Sequence, residues 1–281
     1  MEIHGDIREP RRQDLWRDWE KIFTGVQNPR CETIAREFYA THRREMDEGV
    51  ELLWPDREPL YDLMCLRATI GEAAFQAEKQ GNPTSGHTSE WPAARFGPLI
   101  WFDQWPETRL RVIALDPSKG ESETSDYSAF VLLGLGEDAL MYVDADLARR
   151  DTTQIVCDGL EISDRFRPDG FVVETNQYQD LLKDEFARRS RERGLMLPLY
   201  GLVNTQNKRV RIRTLTPYFR DLQFRFKSAS EGAALLVDQL REFPTARHDD
   251  GPEALEMAVR LMKHILADKP EDRLVSEIVT T

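Results

Sequence analysis

The stretch Leu110-Arg111-Val112-Ile113-Ala114-Leu115-Asp116-Pro117-Ser118-Lys119-Gly120 decides the fold. Five of the six residues before Asp116 are apolar, the composition of a strand buried on both faces. Pro117 cannot donate to a sheet ladder and Gly120 opens a turn, so the strand ends at or near Asp116. Aspartate is depleted in strands, and a carboxylate at the tip of a buried one needs water or a positive partner. A metal ion is one such partner. Asp116 is therefore the first residue expected to do chemistry.

Downstream, apolar runs bounded by turn residues predict strands at 110–116, 127–135, 139–146, 170–175 and 195–203. Between and after them, helical spacing predicts helices at 151–166, 178–193, 229–242 and 252–267. Lys208–Lys227 alternates basic and apolar residues, as in Arg209-Val210-Arg211-Ile212-Arg213, which predicts a solvated hairpin or edge strand. Hairpin-linked strands followed by strand–helix–strand units imply a mixed α/β sheet flanked by helices. Upstream, residues 1–95 read as a helical segment. Gln13–Thr24 carries Leu15, Trp16, Trp19, Ile22 and Phe23 on one face, a second helix runs from Pro29–Arg30 to near Gly49, and a third from Pro59 to about Gly81. The expected division is 1–95 helical and 96–281 α/β.

The composition narrows the class. Apolar residues make up 40% of the 281 and charged residues 31%, with no apolar run of 18 or more to span a membrane. Met1-Glu2-Ile3-His4-Gly5-Asp6 lacks a signal-peptide pattern. Cys31, Cys65 and Cys157 form no C-x-x-C pair, which points away from a disulfide framework or zinc knuckle and towards a reducing cytoplasm. The net charge of −12 disfavours nucleic acid as a partner, yet Lys208–Lys227 holds seven basic residues against the single acid Asp221. Such a stripe suits phosphate contact, with Lys208, Arg209, Arg211 and Arg213 as the expected DNA-binding residues. No phosphate-cradling G-x-x-x-x-G-K-[ST] loop occurs.

Acids recur at element ends. Glu174 closes Gly170-Phe171-Val172-Val173-Glu174, and Asp249 and Asp250 precede a helix in Arg247-His248-Asp249-Asp250-Gly251-Pro252-Glu253. If the two strands are neighbours and that helix crosses them, the carboxylates converge. Clustered oxygens favour Mg²⁺ or Mn²⁺, and a two-metal site can cut a phosphodiester. Asp126 opens the next strand and would return beside Asp116 as a supporting ligand. Plainer roles exist: Asp249 or Asp250 as a helix N-cap, Glu174 as a surface residue, Asp116 as a turn cap. His248 is a further base or ligand, or simply structural. Asp144 and Asp146 are expected at the surface at the opposite edge of the sheet.

These motifs, in this order, resemble the nuclease half of the phage terminase large subunit, a ribonuclease H-like fold. The residues that carry it are Ala114-Leu115-Asp116-Pro117-Ser118 with Ser125-Asp126-Tyr127, then Val172-Val173-Glu174, then His248-Asp249-Asp250-Gly251-Pro252-Glu253-Ala254-Leu255. Leu53-Trp54-Pro55 and Ile70–Pro83 are similar to the segment joining motor to nuclease in that family. The resemblance spans residues 30–267. It implies metal held by Asp116, Glu174 and one of Asp249 and Asp250, with Asp126 close by, and cleavage of duplex DNA with little sequence preference. It also implies partners: the terminase ATPase part, the small terminase subunit and the portal, in the host cytoplasm. The family's ATPase half has no counterpart here, which leaves an excised domain or a separately encoded subunit. Where the family has Asp-Ala-Leu, this chain has Glu253-Ala254-Leu255 and keeps the carboxylate. Two rival readings are a resolvase or transposase-like enzyme on the same fold, and a non-catalytic DNA and portal docking module.

Overall fold

The computed structural model describes residues 10–25, 30–71, 75, 89–117, 127–174, 179–202, 204 and 207–268. The chain divides into two units, Met1–Thr88 with Arg213–Tyr218, and Ser89–Ile212 with Phe219–Thr281. In the first unit, helices α1 (Gln13–Phe23), α2 (Cys31–Met46) and α3 (Leu60–Ile70) bury an aromatic cluster. Trp16 meets Trp19 and Tyr39, while Tyr61 meets Trp19 and Tyr39. The buried Trp16 indole donates to the Met46 carbonyl at 3.0 Å, so even its polar atom is satisfied. The third helix stops at Ile70, earlier than its predicted end, because Gly71 leaves the helical region at φ 82°. Apart from Phe75, the rest of that expected helix lies outside the described residues.

The second unit is built on one seven-stranded sheet, in the order β1-β7-β4-β3-β2-β5-β6. Its strands are β1 (Trp101–Phe102), β2 (Thr108–Asp116), β3 (Ser128–Gly136), β4 (Met141–Ala148), β5 (Gly170–Glu174), β6 (Leu199–Leu202) and β7 (Phe224–Lys227). Strands β2, β3 and β4 form an antiparallel meander, while β5 and β6 run parallel to β2. This is the mixed sheet flanked by helices that the order of predicted strands and helices implies. Asp144 and Asp146 are not at its edge as expected. They are half-exposed on β4, two strands from β2, and Asp146 pairs with Arg150 at 2.7 Å.

The two faces are covered differently. Ile113, Leu115, Phe130, Phe171 and Val173 point towards α4 (Thr152–Phe166) and α5 (Gln179–Glu192), where Val156, Leu160, Leu182 and Phe186 complete a core. A capping box starts α4: Asp151 accepts from the Gln154 backbone N–H while the Gln154 side chain accepts from that of Asp151. The opposite face carries α8 (Glu231–Glu242) over β4 and α9 (Asp250–Asp268) over β2, β3 and β5. Period two then sends Ala114 and Asp116 of β2, and Val172 and Glu174 of β5, towards α9.

One expectation is overturned. Lys208–Lys227 is not a hairpin or edge strand but helix α6 (Lys208–Arg213), helix α7 (Thr216–Arg220) and then β7, which lies inside the sheet between β1 and β4. Asn207 accepts the Arg209 backbone N–H at 2.9 Å, a cap that starts the helix. In helical geometry Lys208, Arg211 and Ile212 share a face, and Arg211 and Ile212 are buried there. The alternation of basic and apolar residues was real but its period was wrong.

Helix α8 comes so close to β4 that a Cβ on Gly232 would stand 2.0 Å from the Ala145 carbonyl oxygen. Backbone cannot give way there as a side chain could. We expect Gly232→Ala to cost about 1–3 kcal/mol by pushing α8 off the sheet, measurable as a lower urea midpoint. An unchanged midpoint would show that the contact is not tight.

Candidate active site

Asp116 closes β2 and Glu174 closes the neighbouring parallel strand β5, so both carboxylates stand at the same end of the sheet on the face under α9. The first turn of α9 brings Asp250 and Glu253 to that end. Tyr127, just before β3, fastens the turn by donating its backbone N–H to Asp250 Oδ2 at 3.1 Å. Gly251 fastens it from behind, donating to Gln239 of α8 at 3.0 Å. A Cβ on Gly251 would come within 2.7 Å of that same Gln239 oxygen, so glycine lets the two helices close up.

Burial and like charge dominate the result. Asp116 is 8% exposed and its carboxyl is held well above the usual carboxylate range. Burial is the main cause, and the neighbouring carboxylates of Glu253, Asp250 and Glu174 add to it, while Lys208 opposes. Lys208 Nζ bridges Asp249 at 2.7 Å and Glu253 at 2.5 Å. Although burial works against its charge, Glu253, Asp116 and Asp249 hold its ammonium above the ordinary lysine range. Arg211 donates to Glu253 Oε1 and lies 3.6 Å from Glu256 Oε2. Glu256, 5% exposed, is pushed up to about 7 by burial, against the pull of Arg260 and Arg211.

The structure sorts the expected residues. Asp116, Glu174 and Asp250 are brought together. Asp249 is half-exposed and engaged by Lys208. Asp126 lies outside the described residues. His248 packs edge-on against Tyr127, whose ring also carries the Arg149 guanidinium at 4.6 Å. Of the four basic residues expected to meet DNA, Arg209 is exposed and Arg213 is half-buried. Lys208 and Arg211 turn to the acids, and Arg211, with a side chain 7% exposed, is not on a surface that a phosphate reaches. Arg211 thus differs from its expected place on a DNA-facing surface, and it and Lys208 pair with the acid cluster. Sequence reasoning gave no role to Glu256, Arg260 or Asn204. Glu253, Glu256 and Arg260 follow Asp250 along one side of α9, a spacing that could have been read as a charged stripe in an otherwise apolar helix.

Among the described residues, no three His, Cys, Asp or Glu side chains are arranged as a ready ligand set for a metal. The donor chemistry nevertheless fits a hard divalent cation. Four carboxylates gather at one end of the sheet, and burial first, then the charge of the other three, holds Asp116 towards its neutral form. No described helix is long and apolar enough to cross a membrane.

No family model and no curated relative matches the chain by sequence. Solved structures similar to it include several terminase nucleases. The HK97 bacteriophage large terminase is 14% identical with a TM-score of 0.44, over 70% of this chain and 49% of that one. The large terminase nuclease from thermophilic phage G20c with bound zinc is 20% identical with a TM-score of 0.41, over 56% of this chain and 84% of that one. The yeast mitochondrial Holliday junction resolvase Ydc2 is 13% identical with a TM-score of 0.38, over 58% and 81%. Function has to be read from this chain's own residues.

A carboxylate whose pKa is raised by folding contributes stability below its ordinary pKa and loses it as pH rises through the raised one. Asp116→Asn should therefore raise the thermal midpoint in EDTA at pH 7.5 and leave it near native at pH 4. Glu256 has the same sign, with its window between 4.5 and about 7. A lower midpoint for Asp116→Asn at pH 7.5 would mean that Lys208 more than offsets the strain.

Proposed function

We propose that the chain is a divalent-metal-dependent nuclease that hydrolyses phosphodiester bonds in duplex DNA, serving as the nuclease part of a phage genome-packaging terminase. The observation that carries this reading is the convergence of Asp116, Glu174, Asp250 and Glu253 from two strands and a helix. Like charges gathered at one end of a sheet weaken a fold, so a stability role alone explains them poorly. Asp116, Glu174 and Asp250 would hold Mg²⁺ or Mn²⁺, with Glu253 beside them and Asp126 in support. Such ions, when bound, lower the pKa of water and stabilise the leaving oxygen of a phosphodiester.

The chain's own groups supply the rest. Lys208 holds Asp249 and Glu253 together through ion pairs at 2.7 Å and 2.5 Å. Arg209 and Arg213 would steer backbone phosphates, giving binding that weakens with salt. Within a packaging complex the partners would be the ATPase part, the small terminase subunit and the portal, in the host cytoplasm.

The test is nicking and linearisation of supercoiled plasmid in Mg²⁺, Mn²⁺ or EDTA. Cutting should need the metal, and Asp116→Asn and Glu174→Gln should each lose more than about 100-fold, beyond the usual cost of an outer partner. Native rates in both variants, with folds intact by circular dichroism, would overturn the reading. Four-way junctions cut far faster than linear duplex would move it to junction resolution.

A further inference from the structure

Behind the acid cluster lies a second set of charged side chains that the proposed reaction does not use. Arg211 of α6 donates to Glu253, and its Nη1 stands 3.6 Å from Glu256 Oε2. From the other side, Arg260 Nη2 donates to that same Glu256 oxygen at 3.0 Å and to Asn204 Oδ1 at 2.7 Å. Asn204 in turn donates its Nδ2 to Glu174 Oε1 at 2.9 Å. Glu256 is thus where two arms meet, one ending on Glu253 and the other on Glu174.

We propose that Glu256 is a positioning residue: a single buried carboxylate that fixes the orientation of Glu253 through Arg211 and of Glu174 through Arg260 and Asn204. The inference rests on the nuclease reading and names what aims its acids.

The energetics favour positioning over stability. Glu253, Glu256 and Arg211 are all nearly fully buried. Buried ion pairs contribute little to stability, since apolar residues of similar volume often replace them at no loss. A pairing that merely docked α6 on α9 would account for Arg211 with Glu253 and Glu256. It would not account for the branch through Arg260 and Asn204, which leaves the helix and ends at the tip of β5. Asn204 is placed for this by register: Glu174 pairs with Leu202, two residues before it. Partners that orient metal-binding carboxylates are worth about 10–100-fold in metal affinity.

The experiment measures Mn²⁺ binding to the full chain by titration calorimetry without DNA, beside thermal unfolding in EDTA. Glu256→Gln and Asn204→Ala should each weaken Mn²⁺ binding by about 10–100-fold. Asn204 is only half-buried, so its variant should unfold at the native temperature. Excess Mn²⁺ should restore plasmid cutting to Asn204→Ala but not to Asp116→Asn. If Glu256→Gln fails to fold, Asn204→Ala decides. Native Mn²⁺ affinity in Asn204→Ala, with or without a lower midpoint in Glu256→Gln, would reduce the network to packing and overturn the proposal. Should Asp116→Asn also bind Mn²⁺ like the native chain, the metal reading itself fails and the positioning role falls with it.

Discussion

The structure depends on one unfavourable contact held in place: a buried carboxylate, Asp116, kept in the company of other carboxylates at the end of a central strand. Left to itself such a group would take up a proton or draw in water. Here the cost is met by the surroundings. The β2 strand is locked between β3 and β5, the first turn of α9 is tied to Tyr127 and Gln239, and Lys208 supplies a positive charge. Everything that fixes the sheet and α9 also keeps repelling groups together. Strain of this kind among clustered acids is a common mark of function rather than of packing.

The sheet achieves this by separating its faces. The side towards α4 and α5 is a conventional apolar core. The side towards α9 is apolar along most of its length and becomes acidic only at the carboxyl ends of β2 and β5, where α9 begins. A strand's period of two does the sorting: one residue further along β2 or β5 would send either acid into the opposite core.

Much of this was legible in the sequence. The apolar run before Asp116, the short strand before Glu174 and the apolar helix after Asp250 each declare themselves, because burial on both faces leaves few polar residues to confuse the pattern. The Lys208–Lys227 stripe misled for a physical reason. A local excess of basic residues measures composition, not exposure, and most of these cations are engaged within the protein. Lys208 and Arg211 meet the acids, Arg220 pairs with Asp221, Arg225 donates to the Leu222 and Phe224 carbonyls, and Lys227 to the Asp103 carbonyl. Asn207 was the local cue for a helix, yet it weighs little beside an alternation that extends over five residues. The charged side of α9 was legible as a spacing, but the links from Glu256 to Arg211 and from Arg260 through Asn204 to Glu174 were not, since they join elements far apart in the chain.

Helix α9 works as a ruler. Its charged residues contact different elements at successive turns, Asp250 meeting the start of β3, Glu253 the short helix α6, and Arg260 the segment after β6. An α-helix turns by roughly 100° per residue, so inserting or deleting one residue between Asp250 and Arg260 would swing part of that row off its targets and turn apolar neighbours towards the acids. Change of length is therefore closed to this stretch in descent, even where change of side chain is open, and its spacing should drift far more slowly than its identity.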